Sequence, residues 1–359
     1  MKILKQIWNM ISIPLVAVIL AVFIGTIIIF ISGSSPIQAY YGMLRGSLGG
    51  LDSITRTLEK ATPLIFSGLA VAIGFKAGLF NIGAQGQLLF GAITSAAVGF
   101  MIKGLPWFIH APLALLAGGL AGALYGAIPG ILKTTTGAHE VITTIMLNYV
   151  AINFTDYLAD GPWKDRSLSN VVARTPEIEL SAKIGTIGPI PIGFIIAVIA
   201  GVIIWWLLWR TTWGYQIRTV GLNPNAARYA GMRVSMVVIL TMVFSGLLAG
   251  LGGAVETQGV VGRYQPGFNV GLGFDGITVA LLGKTHPLGA IPAAVLLGAI
   301  KAGSSEMQFE SGIAKEITDV IQALILFFIA ADMIVRWIIR RRVEEGAEKV
   351  VLSTGWGKH

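Results

Sequence analysis

The sequence has no cysteine and little charge. Only 12% of its 359 residues are Asp, Glu, Lys or Arg, whereas a soluble domain carries about 25%. Without cysteine there can be no disulfide, no thiolate nucleophile and no thiolate metal site. The four histidines, His110, His139, His286 and His359, are scattered without metal-ligand spacing, so neither a metal nor a cofactor is expected. No G-x-S-x-G elbow or H-E-x-x-H helix is present. Gly283-Lys284-Thr285 imitates the end of a phosphate-binding loop, but Thr278 stands where that loop needs its first glycine. No apolar run repeats acids with partnering cations, which argues against a proton relay.

What is abundant is apolar. Hydrophobic residues make up 54% of the chain, and mean hydropathy is +0.76. This composition predicts an all-α, polytopic membrane protein in a single membrane domain over 1–359, with the lipid bilayer as its main partner. The 46 glycines agree, because small residues let helices approach closely in lipid. The net charge of +8 is read as cationic residues at cytoplasmic helix ends, not as a nucleic-acid surface.

About ten membrane segments follow, some short or broken. A tail (1–12) precedes a first span at 13–31, which is too long for a signal-peptide core and is read as uncleaved. Residues 32–61 read as an outside loop with a surface helix. A short run at 62–75 is followed by a further run to 102, a turn at 103–111 and a span at 112–132. In that span Gly118, Gly122, Gly126 and Gly130 recur every four residues, a close-packing stripe. Spans at 141–158, 192–209 and 235–255 come next, with 159–191 as a long outside loop. Residues 274–283 and 290–303 form short runs, 304–315 is polar, and 316–339 is the last span before the tail 340–359. The membrane domain is thus 13–339, with both termini cytoplasmic.

Two glycine-rich interruptions, 74–87 and 271–289, lie in the two halves of the chain. They read either as breaks at membrane depth along a transport pathway or as plain turns. Polar side chains near apolar runs are few. Asn81, Gln85, Gln87, Asn148 and Asn153 are the candidate pathway residues; helix–helix glue is the other reading. A basic island occupies 210–234, with Arg210, Arg218, Arg228 and Arg233 and no acid, so it belongs on the cytoplasmic side. Within it Asn223 is a helix cap, Pro224 suits the first helical position, and Asn225-Ala226-Ala227 continues the helix.

The stretches GLFNIGAQGQLLFGA (78–92), EVITTIMLNYVA (140–151), TWGYQIRTVGLNPNAARYAG (212–231) and FSGLLAGLGGA (244–254) resemble permease subunits of bacterial ATP-binding-cassette importers. The group is that for branched-chain amino acids, ribose and nucleosides, and EVITTIMLNY looks like its nucleoside branch. The chain departs from the commoner pattern at Gln85, often an acid, and at His139, often Asn. The resemblance implies a cell-membrane permease with no catalysis of its own, a second permease, a separate ATPase subunit and an extracytoplasmic substrate-binding lipoprotein. It also implies that the island is an ATPase-coupling loop, carried by Gly214, Arg218, Gly221, Asn223, Pro224, Ala226, Ala227 and Gly231. The last three resemble a weak form of the importers' docking motif. A membrane-surface helix without a partner, a ribose-type sugar importer and a stand-alone transporter or channel are the competing readings.

Overall fold

A backbone in hydrocarbon must satisfy its own polar groups, and a helix does so within one segment. The computed structural model, which describes residues 2–167, 172–267 and 271–331, is accordingly built of helices. They are α1 (Lys2–Ile31), α2 (Pro36–Leu48), α3 (Leu51–Lys76), α4 (Ala84–Met101), α5 (Trp107–Thr136), α6 (Glu140–Asp160), α7 (Ile192–Arg210), α8 (Thr212–Leu222), α9 (Pro224–Tyr229), α10 (Val234–Glu256), α11 (Leu272–Leu282), α12 (Pro287–Ser311) and α13 (Ile317–Ala330). The strands among the described residues are a two-residue antiparallel pair, β1 (Thr186–Ile187) and β2 (Ile190–Pro191). Six of the described helices are long and apolar enough to cross a membrane: α1, α3, α5, α7, α10 with its extension to Val261, and α12.

Several expected boundaries shift. The stretch 32–61 is not a loop with one surface helix, because α3 begins at Leu51 and absorbs the supposed short run 62–75. Its first turns carry Asp52, Arg56, Glu59 and Lys60, and that charge hides the helix from a hydropathy reading. Likewise α5 starts within the expected turn at Trp107, and α12 runs through the polar stretch to Ser311. The expected tail 1–12 continues α1 from Lys2. The tail 340–359 and the end of the 316–339 span lie outside the described residues.

The glycine stripe of α5 is packed against α10, which brings its own glycines. A Cβ on Gly122 would lie 2.4 Å from the Gly246 carbonyl oxygen, and one on Gly250 would lie 2.6 Å from that of Gly118. Gly126 meets the Met242 carbonyl in the same way, at 2.6 Å. The other side of α10 takes α4: a Cβ on Gly253 would lie 2.0 Å from Leu88 O, and one on Gly91 would lie 2.2 Å from Gly250 O. Three helices therefore touch backbone to backbone, which dispersion and packing favour where no hydrophobic drive acts between helices. On the far side of the bundle α3 packs on α11 and α12, and α2 lies along α12.

Gly122→Val is expected to lower the melting temperature of the purified protein sharply and to cut its folded yield several-fold, since overpacking costs about 1–3 kcal/mol or more. Gly185→Ala, with nothing within 4 Å of the added Cβ, is the matched control and should melt like the parent protein in the same fluorescence assay.

Candidate functional site

After α3 the chain turns through 77–83, with Gly78 at φ +70° and the Leu79 amide donating to Gly74 O at 2.9 Å. The turn is largely buried, so its polar groups need partners. Asn81 supplies several of them. Its amide nitrogen donates to Gln87 Oε1 at 2.9 Å and Ser245 Oγ at 2.8 Å, and its oxygen accepts from the Gly83 amide at 2.9 Å. The Ser245 hydroxyl donates in turn to Ala70 O at 2.6 Å. Asn148 on α6 accepts from the Gly86 amide at 2.8 Å and donates to Ile82 O at 2.9 Å. Gln85 Oε1 accepts from the Gly273 amide at 2.8 Å. One polar joint thus links α3, the turn, α4, α6, α10 and the start of α11.

Four of the five candidate pathway residues meet here, namely Asn81, Gln85, Gln87 and Asn148, all buried. Their described hydrogen bonds hold backbone and helices together. Asn153 stands apart: it is exposed on α6 and donates to Tyr149 O of its own helix at 2.7 Å. Of the two interruptions, 74–87 is a buried turn and 283–286 is a tight one, with Lys284 and Thr285 at positive φ.

The island folds into α8 and α9. Thr211 caps α8, and Asn223 caps α9 by accepting from the Ala226 amide at 3.0 Å. Gly214 and Gly221 are contact points. A Cβ on Gly214 would lie 2.1 Å from Leu207 O, and one on Gly221 would lie 2.2 Å from Lys76 O. So α8 is pressed against α7 and the 77–83 turn. Ala227 is buried, while Asn225, Ala226, Arg228, Tyr229 and Gly231 are exposed. Arg218 lies over the Trp209 ring at 5.7 Å, as does Lys76, and the His286 ring is 4.8 Å from it. Burial, and then the Lys76 cation, hold the His286 imidazole below its ordinary pKa.

At the α5–α6 turn Lys133 Nζ meets the buried Glu140 at 2.5 Å, and His139 Nδ1 accepts from the Val141 amide at 3.3 Å. An imidazole therefore does the capping that an Asn would do. At the opposite end of the bundle, the segment 172–191 is tied down by Thr175 to Tyr264 and by Ile178 to Gly262. Glu177 there pairs with Lys183 at 2.5 Å and Arg263 at 3.3 Å, and Lys183 first, then Arg263, holds its carboxyl below the usual range.

The family described as the branched-chain amino acid transport system permease component matches residues 53–330. The chain belongs to that family. Its relatives include the guanosine ABC transporter permease protein NupP of Bacillus subtilis, 39% identical over 93% of this chain and 97% of the relative. The nucleoside ABC transporter permease protein NupB of Lactococcus lactis is 38% identical over 90% and 91%. The glucose ABC transporter permease protein TsgB13 of Haloferax volcanii is 32% identical over 90% and 87%. No solved structure matches. The chain is therefore a multi-pass membrane permease and not an enzyme. Sequence reasoning passed over three features of this permease. They are Ser245, which completes the joint, the α10 glycines that answer α5, and a charge cluster on α11–α13 described below.

Two outcomes test this geometry. Asn81→Ala leaves a buried amide and a buried carbonyl without partners, at about 1–3 kcal/mol each, so the variant should melt several degrees lower, whereas Asn153→Ala should melt like the parent. Because the Glu177 pKa is lowered on folding, its stabilisation is present above the ordinary glutamate value and lost as pH falls through the folded value. The difference in melting temperature between the parent and Glu177→Gln should accordingly shrink from pH 7 toward pH 3.

Proposed function

We propose that the chain is the translocating permease subunit of an ATP-driven importer for nucleosides. The carrying observation is the near-full-length likeness to permeases named for guanosine and nucleosides, together with EVITTIMLNY in α6. The glucose permease relative favours a sugar as the second reading.

Ten membrane segments are assigned to α1, α3, α4, α5, α6, α7, α10, α11, α12 and α13. Contacts that gather 76–83, 210–234 and 283–286 at one end of the bundle, and 161–191 with 257–264 at the other, support this alternation. The basic island makes the first end cytoplasmic, and both termini go there. The exposed side of α9 is the coupling surface that an ATPase subunit grips, with Asn223 and Pro224 starting the helix and Ala226 at its tip. Buried Ala227 and Gly214 brace it with half-buried Gly221, and Arg218 stiffens the corner on Trp209.

The pathway runs along the exposed face of α6, where Tyr149, Asn153 and Tyr157 sit. Beside the exposed Met146 and Val150, these three give that face polar and aromatic groups, where the exposed face of α5 offers Leu113, Leu116, Leu120 and Leu124 to lipid. A second permease covers it. The relatives include a pair from each of Bacillus subtilis, Lactococcus lactis and Haloferax volcanii, one member 32–39% identical and the other 25–28% identical. That pairing supports a non-identical partner. A substrate-binding lipoprotein delivers the solute outside.

Vesicles holding the permease pair, its ATPase and its lipoprotein should take up labelled guanosine only with ATP, and unlabelled nucleosides should compete while ribose and glucose do not. Uptake inhibited by sugars alone, or uptake without the ATPase, would overturn the reading. Tyr229→Ala with Ala226→Glu should cut uptake and ATPase co-purification at least tenfold at an unchanged melting temperature. Gly231 is a poorer probe, because its φ of +79° strains any side chain.

A further inference from the structure

Charged residues on three helices converge inside the membrane domain. Asp275 lies in the first turn of α11, Lys301 on α12, and Asp319 and Gln322 on α13. Lys301 Nζ is 2.9 Å from Asp275 Oδ2 and 3.8 Å from Asp319 Oδ1. Gln322 Nε2 donates to Asp275 Oδ1, while the buried Gln322 carbonyl has no hydrogen-bond partner among the described residues. The Asp275 side chain is 16% exposed and that of Asp319 is 68% exposed.

One ammonium therefore faces two carboxylates at unequal distances. An ion left alone at membrane depth is costly, so Lys301 can leave one acid only by approaching the other. The helices that carry these groups are not tightly merged. Helix α13 packs chiefly on α1, with Ile321 against Gly25, and meets α11 and α12 more lightly. Helix α11 reaches the buried polar joint directly, through the Gly273 amide on Gln85. The unmet Gln322 carbonyl shows that the observed arrangement leaves one buried acceptor unsatisfied, so a second arrangement has something to gain.

We propose that Lys301 is a positioning residue of the transport cycle, exchanging Asp275 for Asp319 as α13 shifts against α11 and α12. In the observed state it holds α12 to α11 through Asp275. In the alternate state it holds α12 to α13 through Asp319, and Asp275, left without its cation, is protonated from solvent and donates to the Gln322 carbonyl. The exchange frees or fixes the start of α11, and with it the side of the joint that Gln85 makes. The proposal rests on membership of the permease family and not on the identity of the solute.

Because the chain has no cysteine, Leu296→Cys on α12 and Phe327→Cys on α13 can carry spin labels in the assembled importer with its ATPase. The label separation should change by more than about 2 Å between the nucleotide-free and the ATP–vanadate-trapped complex. Asp275→Asn should give the trapped separation already without nucleotide, and Asp319→Asn should keep the nucleotide-free separation after trapping. Asp319→Asn should melt like the parent, and Asp319→Glu should restore the change. A merely structural ion pair cannot produce these opposite shifts. Parental separations in both variants, a shift of the same sign in both, or no change in the unsubstituted protein would overturn the proposal. Failure of nucleoside uptake leaves these distances unaffected, so the two readings fail separately.

Discussion

The approach of α10 to α4 and α5 is the constraint on which the buried polar joint depends. Carbonyl oxygens of one helix stand where a Cβ of the next would be, so the three axes are as close as backbones permit. Only glycine allows that. Once the three helices are in register, Ser245 of α10 is held beside the 77–83 turn and can join Ala70 O to Asn81. The polar joint thus depends on the glycine seam, not the reverse.

The joint resolves a problem that a membrane domain creates for itself. A buried turn between two helices exposes amides and carbonyls to a medium without water. Side-chain amides from Asn81, Gln85, Gln87 and Asn148 supply the missing partners, each bonded to backbone or to another amide. The same residues bring the beginnings of α4 and α11 together, so helix–helix contact and hydrogen-bond satisfaction share one set of atoms. On the island side, Gly221 seats α8 on that turn, so the island and the joint are in direct backbone contact.

Much of this was legible early. The glycine period of α5 announced a seam, and the cap, proline and small residues at 223–227 announced a helix that α9 bears out. Charges in the first turns of α3 hid its start, because hydropathy averages over a helix whose second half is buried all round and whose first turns are polar. The polar residues of α4 and α6 stood out by type, but their partners did not. Asn81 and Ser245 are 164 positions apart, and no local pattern links them. The Asp275–Lys301 pair was missed for the same reason: neither residue has its partner within its own helix.

By itself the sequence determined the class of protein, because composition and apolar run length answer directly to the solvent the chain must live in. It also located the Asn223 cap of α9, since that is a local hydrogen bond. Only the tertiary structure decided which polar groups are satisfied by which, which island residues are buried and which exposed, and where opposite charges meet. Those outcomes depend on the distance between helices far apart in the chain, and that distance follows from packing that no single segment contains.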